Sequence, residues 1–192
     1  MTILINGSPK GDNSASATLL KDLKNYLPKD METKETTAST YDDTDKVDTI
    51  VIAFPLYVDG IPSHVLRMME SIKIRGARVY AICNCGFFEG TQCKTALKIV
   101  ENWCAKEGLL WKGGIGIGGG GALGAMPNGG PKKPICEAIK SLAESITEGT
   151  GGENIYVSVG MPRILYKTAA EIGWKKQIKA NGLKKEDLSR RL

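Results

Sequence analysis

Short runs of apolar residues alternate along the chain with longer segments whose apolar residues recur every three or four positions. The first pattern is typical of buried strands, and the second is typical of helices with one buried face. The apolar runs predict strands at residues 2–6, 49–54, 78–83 and from about 110, with a weaker, polar edge strand at 32–37. The helical spacing predicts helices at 14–26, 62–74, 91–106, 134–148 and 163–180.

This alternation is typical of βαβ units, in which helices join parallel strands. Five main units with short right-handed crossovers favour an α/β three-layer sandwich over a barrel or a six-stranded dinucleotide fold. The predicted sheet is parallel and five-stranded, in the order 2-1-3-4-5. The acidic connector at 41–45 predicts a stunted second helix, and residues 154–159 are predicted to be a short additional strand or an extended segment.

A length of 192 residues suits one domain, so residues 1–192 are predicted to form a single domain with a C-terminal helical extension at 160–192. The glycine-rich stretch 113–121 is interpreted as a strand that runs into a flexible loop ending near Pro131. The part from Gly116 to Gly130 is either a lid or wall of a site, or a disordered connector.

Composition excludes several classes of protein. The hydrophobic share of 42% and the charged share of 24% are values of a globular protein, and no apolar run approaches the ~20 residues that span a bilayer. The N-terminus lacks the basic residues of a signal peptide, so we expect a cytoplasmic protein. Basic residues cluster between Lys175 and Arg191, but Glu186 and Asp187 interrupt them. This cluster is interpreted as a solvated helical face rather than a surface for nucleic acid or an acidic partner.

Cysteine and histidine usage argues against a metal site. The five cysteines are an odd number without a disulfide framework, so reduced thiols are expected. Cys83 and Cys85 are a close pair, but they lack the second pair that a zinc or iron–sulfur site needs. His64 is the sole histidine, and a position in a helix cap or at the surface accounts for it. No metal is therefore predicted.

The loop at residues 7–16 carries the main candidate site. In a doubly wound sheet, ligands bind beyond the carboxyl ends of the strands, at the switch point between the first and third strands. The hydroxyls of Ser8, Ser14 and Ser16, the Lys10 ammonium and the amides at the helix start suit a phosphate monoester. A dinucleotide is disfavoured because no GxGxxG follows the strand. The alternative is that these residues only cap the helix.

The residues Gly7-Ser8-Pro9-Lys10 resemble the NAD(P)H-dependent FMN reductase and flavodoxin-like NAD(P)H oxidoreductase family, and the resemblance extends over nearly the whole chain. Residues 54–62 look like the second flavin loop of this family, and residues 84–90 look like the third. The resemblance implies a flavodoxin-like fold that binds FMN. In these two loops it implies flavin contacts from Pro55, Leu56, Tyr57, Val58, Asp59, Gly60, Asn84, Gly86 and Phe87. The alternative for the second loop is a hairpin-like turn with a buried tyrosine.

The resemblance further implies that NADH or NADPH reduces the FMN, which then passes electrons to a small acceptor. The acceptor could be a quinone, a nitro or azo compound, a metal ion or free flavin. Because the flavin carries this chemistry, no catalytic side chain is predicted. A homodimer is also implied. Two alternatives stay open: a flavodoxin-like electron carrier with a protein redox partner, and a flavin-free structural or regulatory module.

Overall fold

One parallel sheet organises the chain in a computed structural model, which describes residues 1–42, 46–126, 129–184 and 186–187. Its strands are β1 (Thr2–Asn6), β2 (Thr33–Thr37), β3 (Thr49–Pro55), β4 (Arg78–Asn84), β5 (Leu110–Ile117) and β6 (Ile155–Val157). They form a sheet in the order β2-β1-β3-β4-β5-β6, and every neighbouring pair runs parallel. The carboxyl ends of all these strands therefore meet at the same edge.

Four helices cover the two faces of the sheet: α1 (Ala15–Tyr26), α2 (Ser63–Ser71), α3 (Lys94–Glu107) and α4 (Lys133–Glu148). A fifth helix, α5 (Arg163–Ala180), follows the sheet in the chain. Short 3-10 turns lie at Gly90–Cys93, Gly120–Ala125 and Gly130–Lys132. Helix α3 ends where predicted, because Gly108 caps it with a φ of 70° that a glycine adopts easily.

The predicted α/β fold is confirmed, but the sheet has six strands rather than five. The order of the first five strands is as predicted, and β6 is added at the edge beside β5. Only three residues of β6 pair with β5, from Ile155 to Val157. Three residues are too few to show a period in the sequence, which is why this segment could equally be interpreted as extended chain.

The two faces of the central strands bury different side chains, since successive residues of a strand point in opposite directions. Ile50 and Ile52 belong to the core that α2 and α3 cover. On the other face, the hydroxyl of buried Tyr80 donates to the carbonyls of Ser145 at 3.0 Å and Thr150 at 2.6 Å. Those carbonyls lie at the end of α4 and just after it, so the hydroxyl joins the sheet to that layer.

The connection from β2 to β3 contains no helix in its described residues, 38–42 and 46–48. Ala38 and Val47 are buried there and belong to the same core as α2 and α3. These two apolar side chains cover part of the sheet face in place of the predicted stunted helix. The acidic residues at 43 and 45 lie outside the described residues.

The chain divides into two compact units, Met1–Gly160 and Met161–Leu192. In the second unit, no residue of α5 is buried. This unit contains nine Lys or Arg and three Asp or Glu, a net charge of +6, whereas residues 1–160 contain 17 and 18, a net charge of −1. Lys185, Arg190 and Arg191 of the predicted basic cluster lie outside the described residues. The single-domain assignment for 1–192 stays a prediction.

A buried ion pair joins α1 to the turn that precedes α4. The Lys132 ammonium lies 2.6 Å from an Asp22 carboxylate oxygen, and the two side chains are 4% and 14% exposed. A buried charge that loses its partner is strongly destabilising, because neither water nor another group compensates it. Lys133, one position further on, is exposed and lies 3.8 Å from Glu137 on the helix surface.

We expect Lys132→Met to lower the free energy of unfolding by about 3 kcal/mol, because it leaves the Asp22 carboxylate without its cation. Lys133→Met removes the same charge from the surface and should change the free energy by less than about 0.5 kcal/mol. Equilibrium unfolding in urea measures both. Equal effects of the two substitutions would contradict this account of the ion pair.

Candidate functional site

The loop between β1 and α1 is held by the side chain of Asn6, the last residue of β1. Its Nδ2 donates to the Gly11 carbonyl at 3.0 Å, and its Oδ1 accepts from the Ser8 amide at 3.0 Å. Asn6 is buried, so these bonds are shielded from water. Sequence reasoning gave Asn6 no role, although asparagine that bonds backbone two residues onward is a known turn signal.

Gly7 brings this loop close to β3 and α2. A Cβ at Gly7 would lie 2.8 Å from Val65 Cγ2 and 2.9 Å from Phe54 Cβ, closer than side-chain atoms approach one another. The Gly7 carbonyl also lies 3.0 Å from His64 Nε2, within hydrogen-bonding distance. His64 is in the first turn of α2 and braces the loop. The sequence offered no signal for that contact.

The three serine hydroxyls of the loop differ in what they can still donate. Ser14 Oγ accepts from the Ala17 amide at 3.1 Å and donates to the Gly11 carbonyl at 2.7 Å, so its proton is used. Ser14 is thus the N-cap of α1. Ser8 Oγ accepts from the Lys10 amide at 3.3 Å, and Ser16 Oγ accepts from Asn84 Nδ2 at 2.9 Å. In both of these bonds the serine oxygen is the acceptor, so its hydroxyl proton is still available to donate.

The second loop contains a tight turn at residues 57–60. The amides and carbonyls of Tyr57 and Gly60 bond each other at 3.0 and 2.9 Å, and Val58 and Asp59 have φ of 48° and 58°. Positive φ at both central residues is the geometry of a hairpin turn, and it is strained for β-branched Val58. The hairpin alternative therefore describes the backbone, but the tyrosine is not buried, because Tyr57 is 43% exposed.

Asn84, the last residue of β4, connects three of the segments around the site. Its side-chain amide donates to Ser16 Oγ at 2.9 Å and to the Phe54 carbonyl at 3.0 Å. Its backbone carbonyl accepts from the Leu56 amide at 2.7 Å. The residue is 4% exposed. A side chain so enclosed holds the loops together, and both of its amide protons are used inside the protein.

The glycine-rich segment after β5 packs closely against the loop that follows β4. The amides of Gly119 and Gly120 donate to the carbonyls of Phe87 at 2.6 Å and Cys85 at 2.7 Å. A Cβ at Gly120 would lie 2.9 Å from Asn84 Oδ1. The predicted flexible loop is therefore a 3-10 turn at Gly120–Ala125, and these glycines allow backbones to meet. Pro127 lies outside the described residues.

These segments enclose a cleft of about 610 Å³ at the carboxyl ends of β1, β3 and β4. Nine predicted site residues line it: Ser8, Lys10, Ser14, Ser16, Pro55, Leu56, Tyr57, Asn84 and Gly86. Four others do not: Val58, Asp59, Gly60 and Phe87. The wall also includes residues that sequence reasoning did not assign: Asp12, Asn13, Ala15, Thr18, Cys85, Gly120 and Gly121. The volume is within the range of small-molecule sites, about 300–1,000 Å³.

The charge environment of the cleft is set by the start of α1. The amides of Ala15 and Ser16 have no acceptor within the helix, because they belong to its first turn. Such amides and the helix dipole attract an anion. Lys10 adds an exposed ammonium to the wall, and Asp12 adds an exposed carboxylate. The donors at the helix start therefore favour a negative group at this end.

A larger groove of about 960 Å³ runs between α1 and β2 and shares Asp12 and Thr18 with the cleft. Its wall includes Lys24 and Glu35, which form an ion pair across it and are half exposed. The groove lies beside the edge strand, away from the ends of β3 and β4. We therefore identify the smaller cleft, which lies at the switch point of the sheet, as the candidate site.

Cys85 in the cleft wall, and Cys93 and Cys104 in the core, are buried thiols. A hydrogen bond with Cys93, together with burial, raises the pKa of Cys85, and a hydrogen bond with Cys83 raises the pKa of Cys93. Burial raises the pKa of Cys104 to about 12. Thiols with raised pKa are poor nucleophiles, since the thiolate is the reactive form. Cys85 is therefore a packing residue of the cleft wall rather than a reactive thiol.

The described ranges contain neither a metal-binding cluster nor a helix suited to a membrane. No group of three or more His, Cys, Asp or Glu side chains there is arranged to hold a metal ion. None of the helices in these ranges combines the length and the apolar character that crossing a membrane requires.

No family model matches the sequence, and no curated protein matches it. Solved structures do match the fold. A Fusobacterium nucleatum flavodoxin bound to flavin mononucleotide has a TM-score of 0.55 at 13% identity, covering 78% of this chain and 98% of that one. An NADPH-quinone reductase from P. pentosaceus has a TM-score of 0.52 at 11% identity, covering 79% and 99%.

A third similar structure is rubredoxin oxygen:oxidoreductase from the anaerobe Desulfovibrio gigas, with a TM-score of 0.53 at 13% identity. That match covers 77% of this chain but only 35% of the other, so this chain corresponds to about a third of its length. Identities this low show the fold alone. The fold is flavodoxin-like, as predicted, and proteins that share it include an NADPH-quinone reductase.

We expect iodoacetamide at pH 8 to alkylate Cys136 first in the native protein. Cys136 is partly exposed, whereas Cys83, Cys85, Cys93 and Cys104 are buried. The raised pKa of Cys85 keeps it protonated at this pH, which slows its reaction. Mass spectrometry of digests taken over time gives the order. Alkylation of Cys85 as fast as that of Cys136 would show a reactive thiol in the cleft wall.

Proposed function

We propose that the cleft binds FMN and that the chain is an NAD(P)H-dependent flavin oxidoreductase that reduces a small acceptor. One observation carries the proposal: unused donors at the start of α1 lie at one end of a cleft at the switch point of a flavodoxin-like sheet. A solved structure with a similar fold, the Fusobacterium nucleatum flavodoxin, has flavin mononucleotide bound.

The donor set at the start of α1 fits a phosphate monoester. Ser16 is 1% exposed yet lines the cleft, and its hydroxyl proton is left over from its bond to Asn84. The Ser8 hydroxyl, the first-turn amides and the Lys10 ammonium add donors around the same point. Because the proton of Ser14 is bonded to Gly11, we assign Ser14 to capping α1 rather than to holding the phosphate.

The other end of the cleft suits a flat ring. Pro55, Leu56 and Tyr57 line one side, and the exposed face of Tyr57 is available for stacking. Gly86 and Gly121 add backbone without side chains, and a Cβ at either would meet nothing within 4 Å. We propose contacts to the ring from these residues. Val58, Asp59, Gly60 and Phe87 lie outside the cleft wall, so in this proposal they shape the loops.

When bound, FMN supplies the hydride and electron transfer between NAD(P)H and the acceptor. In this proposal the residues of this chain hold the phosphate, orient the ring and bond the polar atoms at its edge. No acid–base side chain is required. Reduction by NADH or NADPH, a small-molecule acceptor and a homodimer are proposed with the resemblance as their support. A cytoplasmic location is proposed from the lack of basic residues at the N-terminus.

A flavodoxin-like electron carrier with a protein redox partner is the second candidate. It is favoured by the flavodoxin named above, 98% of which is covered by the match. The two candidates differ in what reduces the flavin, since a carrier has no need of a nicotinamide pocket.

We expect the purified protein to be yellow with FMN, and NADH or NADPH to bleach the flavin within seconds under anaerobic conditions. An open ring face is what permits this hydride transfer. Stopped-flow absorbance near 450 nm follows it, with free FMN as the control. Retained flavin that bleaches only over hours would support the carrier, and failure to bind FMN would exclude both candidates.

We expect Ser8→Ala with Lys10→Ala to weaken FMN binding by about 1.5–3 kcal/mol, because a partly desolvated phosphate loses charge-assisted partners. Lys10 is exposed, so its share should be the smaller one and should fall with added salt. Lys29→Ala, an exposed lysine beyond the far end of α1, is the control for lost charge. Quenching of FMN fluorescence measures the affinity, and an unchanged value would remove this loop from the phosphate site.

A further inference from the structure

We infer that Asn84 is a positioning residue that turns the hydroxyl proton of Ser16 into the cleft, and that it thereby makes the site prefer a phosphorylated flavin over an unphosphorylated one. The inference rests on the proposed function. It changes the role of Asn84 from a direct flavin contact, as the resemblance implied, to a residue that acts through Ser16.

The orientation of the Asn84 amide is determined by its surroundings. One of its two terminal atoms lies 3.0 Å from the Phe54 carbonyl oxygen. A carbonyl oxygen can only accept, so the group facing it must be the NH₂. If the amide were turned over, two acceptors would face each other in a buried site. The NH₂ therefore also faces Ser16 Oγ, at 2.9 Å.

This orientation determines the direction of the Ser16 hydroxyl. A serine hydroxyl carries one proton, and its oxygen accepts from Asn84, so the proton must point elsewhere. Among the residues that the structure describes, Ser16 Oγ has no second partner. Ser16 is the second residue of α1 and lines the cleft, where the first-turn amides also point. The proton is thus directed at the place proposed for the phosphate.

The surroundings keep Asn84 in this position. It is 4% exposed, its backbone carbonyl accepts from the Leu56 amide at 2.7 Å, and a Cβ at Gly120 would lie 2.9 Å from its Oδ1. Both protons of its side-chain amide are used, so it has none to donate to a phosphate, which can only accept. An effect of Asn84 on phosphate binding must therefore pass through Ser16.

The test compares the affinities for FMN and for riboflavin, which differ only in the phosphate, by quenching of flavin fluorescence. The variants are Ser16→Ala, Asn84→Ala, the double substitution and Asn84→Asp, with Asn102→Ala on the exposed side of α3 as the control. Thermal unfolding of each variant accompanies the titrations, so that lost folding is distinguished from lost affinity.

We expect Ser16→Ala and Asn84→Ala each to weaken FMN binding about tenfold while leaving riboflavin binding nearly unchanged. The double variant should match Ser16→Ala, because without the hydroxyl Asn84 has nothing left to orient. Asn84→Asp has nearly the same shape, but its carboxylate can only accept, so Ser16 would donate to it and turn away from the cleft. Its charge also repels a phosphate directly, so its effect is compared in the unsubstituted and Ser16→Ala backgrounds. We expect it to lower the preference for FMN more when Ser16 is present, and this comparison decides the question if Asn84→Ala does not fold.

Equal losses for FMN and riboflavin in the Asn84 variants would overturn the inference, because Asn84 would then only support the fold. A loss of FMN affinity in the double variant equal to the product of the two single losses would also overturn it, because the two residues would then act independently. If the unsubstituted protein binds FMN and the Asn84 variants keep the same preference for FMN over riboflavin, this inference alone fails. If it binds neither flavin, the proposed function fails as well.

Discussion

The buried amide of Asn84 is the interaction on which the geometry of the cleft depends. The carboxyl ends of parallel strands meet at one edge of a sheet, but the loops that leave them no longer share the ladder of backbone bonds. Asn84 replaces that ladder by bonding Ser16 Oγ and the Phe54 carbonyl through its side chain. One residue at the end of β4 thereby relates the start of α1 to the second loop.

Other contacts around the cleft follow the same design, in which backbone groups are bonded inside the protein and a few donors are left over. Asn6 bonds two points of the first loop, and His64 braces it at the Gly7 carbonyl. Gly7 and Gly120 allow neighbouring segments to come closer than side chains would permit. The donors that remain are the amides of the first turn of α1, the hydroxyls of Ser8 and Ser16, and the Lys10 ammonium, and these are the groups proposed to hold the phosphate.

The distribution of charge makes this local arrangement important. The unit that contains the cleft has a net charge of −1, and the basic excess of the chain belongs to residues 161–192. A general positive field of the first unit does not therefore support the proposed phosphate site. In that proposal the attraction comes from groups a few ångströms away, namely the helix-start amides, the hydroxyls of Ser8 and Ser16, and Lys10.

The sequence by itself determined the α/β class, the order of five strands and the three loops of the cleft, because short apolar runs, helical spacing and glycine-containing strand ends are local signals. Nine of the thirteen proposed contact residues line the cleft for the same reason. Only the tertiary structure decided the roles within that set. Ser14 caps α1, Ser16 keeps a hydroxyl proton to donate, and Asn84 holds the start of α1 against β3. The tertiary structure also decided the sixth strand and the contact of His64 with Gly7. Apart from the Ser14 cap, these features depend on partners tens of residues away, and the direction of a hydrogen bond is set by whichever group packing brings opposite it.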